Sequence, residues 1–79
     1  YFEWTIIRPG GLKEDETIDD QNILYSGIDS QTNGSVPRRL VAKCCIEAIK
    51  YKDSINKIIE ITSSTEYKKV AFEKAIQSI

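Results

Sequence analysis

The stretch Trp4-Thr5-Ile6-Ile7-Arg8-Pro9-Gly10-Gly11-Leu12 constrains this chain more than any other. Aromatic and β-branched side chains through Ile7 favour an extended strand, expected over about residues 3–8. The apolar run is nearly continuous rather than alternating, which suits a strand covered on both faces, as in a parallel sheet. Pro9 cannot donate to a sheet ladder, and Gly10-Gly11 permit positive φ. The strand therefore runs straight into a loop, expected to last from 9 to 36.

That loop opens on an acidic stretch containing Glu14, Asp15, Glu16, Asp19 and Asp20. Within it, Ile23-Leu24-Tyr25 reads as one short strand, and Ser26-Gly27 and Asn33-Gly34 are turn signals, the latter fit for a hairpin. A helix is expected over 37–51. Pro37 suits its first turn, with Ser35 nearby as a cap. Leu40, Val41, Cys44, Cys45, Ala48 and Ile49 recur with helical period as one apolar stripe. A second strand follows over 57–62, centred on Ile58-Ile59-Glu60-Ile61. Ser63 with Glu66 three residues on has the form of a capping box for a last helix over 65–78. The order strand, long loop, helix, strand, helix predicts parallel pairing of the two main strands through a crossover. Two such strands are not a complete sheet, and Trp4 and Ile6-Ile7 call for neighbours that this chain does not supply.

At 79 residues the chain is at most one small domain, a size that buries only about 60% of its unfolded surface. Its net charge of −1 argues against a nucleic-acid partner, which would require a basic face. No apolar run approaches the ~20 residues of a membrane-spanning helix. The sequence has no His, which removes imidazole acid–base chemistry and the commonest metal ligand. It also has no Met, so a processed product or an excerpt is expected. Cys44 and Cys45 are adjacent, and neighbouring cysteines rarely form a disulfide. A reducing compartment follows, with both thiols as core fillers on the apolar stripe.

Three strings carry a family resemblance. Trp4 to Leu12 resembles the Y/W-T-I-I-R-P-G-G-L segment of atypical short-chain dehydrogenase/reductases, the NmrA-like and Tic62-like NAD(P)-binding Rossmann proteins. Ser35-Val36-Pro37-Arg38 with Leu40-Val41-Ala42 looks like that family's (I/V)-(S/P)-R-x-D-V-A helix start. Asn56-Lys57-Ile58-Ile59-Glu60-Ile61 is similar to its N-K-x-F-E-(I/L) final strand. The motifs stand in the family's order and cover residues 3–63. The resemblance implies an α/β fold in which residues 1–79 form the C-terminal portion of a Rossmann-type parallel sheet, the N-terminal nucleotide-binding half being absent. It implies NADP or NAD as cofactor, with Arg8, Pro9, Gly10, Gly11 and Leu12 lining the nicotinamide side of the cleft at the carboxyl edge of the sheet.

The family's G-x-G-x-x-G fingerprint and Tyr-x-x-x-Lys pair are both missing from this sequence. Thr5, Asp29, Ile55 and Ala71 follow the four tyrosines at the lysine position. No catalytic residue and no metal site is assigned, and enzyme activity is left open. The acidic run reads as a solvated loop, and Arg38-Arg39 as a solvated helix end or a contact for a carboxylate, phosphate or lipid headgroup. Arg8 is suited to a carboxylate or a cofactor phosphate; the competing expectation is an ion pair with the chain's own acidic loop. Three functions compete: an oxidoreductase-like or cofactor-sensing protein, a non-catalytic accessory subunit of a photosynthetic or respiratory membrane complex, and a small independent binding module. The expected partners are the missing N-terminal half of the same protein or other subunits, with peripheral association to a membrane complex and no transmembrane segment. The expected location is a plastid, otherwise the cytosol or the mitochondrial matrix.

Overall fold

The computed structural model describes residues 3–14, 21–31 and 34–79. The acidic residues Asp15, Glu16, Asp19 and Asp20, and the hairpin position Asn33, lie outside these described residues. Five strands and two helices follow in chain order: β1 (Thr5–Pro9), β2 (Gly11–Lys13), β3 (Asn22–Ser26), β4 (Ser35–Pro37), α1 (Arg38–Lys50), β5 (Lys57–Ser64) and α2 (Phe72–Gln77), with a 3-10 turn at Lys52–Ser54.

The main sheet has the order β1-β5-β3. β1 pairs parallel with β5, Ile7 opposite Ile59 and Arg8 opposite Glu60, as the crossover argument requires. β3 pairs antiparallel along the other side of β5. This is the expected α/β class, a sheet containing a parallel pair with helices against it. Because side chains alternate along a strand, β5 divides its residues between two faces. Ile59 and Ile61 point into a core closed by Cys44 of α1 and by Phe72 and Ile76 of α2. Glu60 and Thr62 occupy the opposite face, which is helix-free among the described residues. Tyr25 meets Phe72 edge to face, with ring centroids 5.4 Å apart.

The structure departs from the sequence expectations at five places. The loop expected over 9–36 carries three strands. Ile23-Leu24-Tyr25 grows into the five-residue β3, and Gly11–Lys13 pairs parallel with Ser35–Pro37 as a two-stranded sheet. Three-residue strands without alternating apolar residues leave no periodic signal, so only their pairing reveals them. Ser35 is spent in β4, and α1 starts without a side-chain cap behind Pro37. β1 is an edge strand among the described residues, with Ile6 46% exposed while Ile7 packs on the core; β5 takes the middle position because β3 claims its other side.

The last helix is much shorter than the expected 65–78. Pairing with β3 carries β5 on through Ser63 and Ser64, so Ser63 caps nothing and its hydroxyl donates to Gln21 Oε1. Ser64 instead accepts the Glu66 N–H at 3.1 Å in a turn, and α2 begins only at Phe72. The stripe of α1 is also narrower than its period suggested. Leu40 and Cys44 are buried, Cys45 is exposed, and Ile49 is 87% exposed. No helix of the described residues is long and apolar enough to cross a membrane.

The start of β1 is tied to the chain before β5. Thr5 Oγ1 donates to the Ser54 carbonyl at 2.8 Å, and the fully buried Ser54 hydroxyl lies 2.8 Å from the carbonyls of Ala48 and Tyr51. These bonds fix the register that brings Arg8 beside Glu60. Ile59 is fully buried between both neighbours of β5. An Ile59→Ala substitution is expected to cost about 2–5 kcal/mol, read as a shifted midpoint in urea denaturation. Thiol labelling provides a second check. Burial pushes the Cys44 thiol up to about 12, so alkylation should modify Cys45 in the native protein and Cys44 only on unfolding.

Candidate functional site

A cleft of about 170 Å³ opens where the parallel pairing of β1 with β5 ends, at Pro9 and Ile61. Arg8 to Gly11 form one side, Glu60 to Thr62 the floor, and Gln31 and Gly34 close the far side. Of the residues singled out from sequence, Arg8, Pro9, Gly10 and Gly11 line this cleft together. Leu12 is the second residue of β2, opposite Val36, and is exposed outside it.

The two glycines of the Pro-Gly-Gly turn are doing different jobs. The Gly10 N–H donates to the Ile61 carbonyl at 2.9 Å, extending the β1–β5 ladder by one bond. A Cβ on Gly10 would stand 2.8 Å from the Gly34 carbonyl oxygen and 2.9 Å from the Thr62 methyl. Gly34, at φ +121°, would place a Cβ 2.8 Å from the same methyl. Gly10 and Gly34 are thus small because the chain closes on Thr62. Gly11 donates its N–H to the Gly34 carbonyl at 3.1 Å, and a Cβ there meets nothing closer than 3.7 Å. Among the described residues its missing side chain answers no packing demand.

Glu60, which sequence reasoning did not mark as a site residue, organises the rest. It is 5% exposed, and a buried carboxylate is costly unless fully partnered. Here Oε2 accepts the Asp29 N–H at 2.6 Å, and Oε1 accepts those of Ser30 and Gln31 at 3.1 and 2.9 Å. The turn reaches this geometry through Asp29 at φ +57°, a conformation that Asp tolerates. Arg8 Nη1 lies 3.2 Å from Glu60 Oε2 and 3.3 Å from Asp29 Oδ1. Arg8 therefore meets carboxylates of β5 and of the 29–31 turn. Chiefly the Gln31 N–H, with those of Asp29 and Ser30 and the Arg8 charge, holds the Glu60 carboxyl below its ordinary range against the opposing effect of burial. The signal available in the sequence was a lone charge inside Ile58-Ile59-Glu60-Ile61.

Gln31 completes the frame. Its Oε1 accepts the Thr62 hydroxyl at 2.6 Å, and its Nε2 lies 2.6 Å from Ser26 Oγ and 3.0 Å from the Leu24 carbonyl. Elsewhere, Arg38 pairs with Glu14 at 3.7 Å, both exposed. No group of three acidic, His or Cys side chains among the described residues is placed to hold a metal ion.

Residues 1–52 match the sequence profile of a family described as NAD(P)H-binding. The chain belongs to this NAD(P)H-binding family. It is also 34% identical, over 78 residues, to an uncharacterized chloroplastic protein of Arabidopsis thaliana, a match covering 99% of the chain and 27% of that relative. The chain thus spans about a quarter of the length of the curated relative it matches.

Ligand pockets generally run to roughly 300–1,000 Å³, and about 170 Å³ is room for a ring, not for two nucleotides. The amides of Gly10 and Gly11 both bond within the chain, so neither forms a phosphate cradle of the kind that binds pyrophosphate at a helix N-terminus. A side-chain-free wall at Gly11 allows close approach of a flat ring.

The two glycines separate experimentally. Gly10→Ala should destabilise the protein by roughly 1–3 kcal/mol through overpacking, while Gly11→Ala should stay within about 0.5 kcal/mol, both by thermal melting. The Glu60 carboxyl makes a pH prediction with a definite sign. A carboxyl held low in the folded state stabilises fully above its unfolded value, ordinarily 4.5, and loses that stabilisation as pH falls through the folded value. Acid titration of stability should show this loss in the natural protein, and Glu60→Gln should remove that component of the slope.

Proposed function

We propose that this chain forms the nicotinamide and substrate side of the cofactor cleft in an atypical short-chain dehydrogenase/reductase-like protein of the NmrA-like and Tic62-like kind. Arg8, Pro9, Gly10 and Gly11 make that wall and Leu12 flanks it on β2, with NADP or NAD as the cofactor. One observation carries the reading: Gly11 lines a cleft at the carboxyl edge of a parallel strand pair, and a Cβ there would meet nothing closer than 3.7 Å among the described residues. Membership of an NAD(P)H-binding family supplies the ligand class.

Within this assignment each residue has a distinct part. Gly10 and Pro9 end β1 and turn the chain across the cleft mouth. Gly11 offers a bare backbone surface for the ring. Arg8, 46% exposed and steered by two carboxylates, stands at the rim, where its fork can meet a polar group of cofactor or substrate. Leu12, half exposed on β2, shields the outer side from water. The bound cofactor would supply hydride chemistry; the groups that grip its phosphates belong to sequence outside these 79 residues. The partners in this reading are the remainder of a longer protein or other subunits of an assembly, the association with any membrane being peripheral. The chloroplastic relative supports a plastid location. Nothing among the described residues favours the accessory-subunit alternative.

The test is a fluorescence titration of the full-length protein with NADPH and NADH. Saturable binding of at least one is expected. Gly11→Val should weaken it about tenfold, equivalent to ~1.4 kcal/mol, with the melting temperature nearly unchanged. Unchanged affinity in that variant would contradict the site, and no binding of either dinucleotide would contradict the function.

A further inference from the structure

Glu60 lies outside the wall Arg8 to Leu12, yet it holds more of the cleft than any residue within it. Three successive amides, of Asp29, Ser30 and Gln31, converge on its carboxylate, an anion-binding concavity of backbone N–H groups. The anion it holds is the chain's own. Through this grip the 29–31 turn is fastened to β5, and Gln31 is set against Thr62 at the cleft floor. Through Arg8 Nη1 at 3.2 Å the same carboxylate orients the cation at the rim. Arg8's other partner, Asp29, is 77% exposed, and an exposed pair alone holds little.

We propose that Glu60 is a positioning residue for the cleft: its carboxylate fixes the 29–31 turn and the Arg8 guanidinium as one wall, and ligand affinity depends on that hold. This rests on reading the cleft as the nicotinamide side. Only a carboxylate serves. Its two oxygens accept several N–H donors at once, whereas the glutamine amide presents one oxygen and an NH₂ group. In Glu60→Gln a donor would face a donor at one side of the turn, and Arg8 would keep only its exposed partner. Glu60→Asp retains the charge with a shorter reach.

The experiment is an NADPH titration of the full-length protein and its variants at neutral pH, with melting temperatures and amide hydrogen exchange at 29–31 followed in parallel. Folded Glu60→Gln should bind NADPH about tenfold more weakly and lose protection at these three amides. Glu60→Asp should recover part of the affinity. Combined with Gly11→Val, Glu60→Gln should cost less than the product of the two single effects, because both act on one wall. A purely structural role predicts unchanged affinity in the folded variant and multiplicative effects in the double variant, and either result overturns the inference. Should Glu60→Gln fail to fold, Glu60→Asp decides: a loss of threefold or more supports the inference, and unchanged affinity overturns it. No NADPH or NADH binding by the natural protein overturns the cofactor reading and this inference with it. Normal binding with an unaffected variant overturns this inference alone.

Discussion

A carboxylate set in the middle of a strand of isoleucines must be given partners or the strand cannot form. Glu60 receives three backbone amides and an arginine, and the local architecture follows. The amides commit residues 29–31 to the middle of β5. The arginine comes from β1, so the bond works only in the parallel register that places Arg8 opposite Glu60. Ionic and hydrogen-bonding demands on the helix-free face therefore select the same strand alignment that Ile7, Ile59 and Ile61 select on the core face. Agreement between the two faces is what lets a sheet of only three strands specify one arrangement.

Close approach is the second constraint. The chain passes over Thr62 twice, at Gly10 and at Gly34, with gaps that no Cβ would fit. This crossing docks the small β2–β4 sheet onto the main one and gives the cleft its far side. It also divides the Pro-Gly-Gly turn into a glycine closed in by Thr62 and Gly34 and one with open space beside it among the described residues. A glycine beside a cleft is not in itself a sign of ligand contact; the contact distances around the absent Cβ distinguish the cases.

Long elements with strong periodicity were legible in the sequence. The 37–51 stripe appears as α1 at Arg38–Lys50, and the two β-branched runs appear as the parallel pair β1 and β5. Pairing decisions were not legible. Ser63 and Glu66 have the spacing of a helix cap, but β3 reaches far enough along β5 to claim Ser63 and Ser64 for the ladder, a tertiary demand that local pattern does not encode. β2 and β4 are recognised only through their pairing with each other. At the site, the Pro-Gly-Gly turn was conspicuous while Glu60 was not. Its importance comes from Asp29, Ser30 and Gln31, some thirty residues earlier. The exposure of Ile49 and Cys45 shows the same limit, since a helical period identifies a stripe but not how much of it is covered.

The central claim is that the Arg8–Gly11 turn and the facing Gln31 form a ligand wall in an NAD(P)H-binding protein. The most direct measurement is amide chemical-shift mapping of the full-length protein on addition of NADP or NAD. The account predicts saturable shifts at Gly10, Gly11 and Gln31, with the amides of α2, on the opposite face of the sheet, unaffected. Saturable shifts that bypass this turn, concentrating instead on α2 or the outer face of α1, would contradict it.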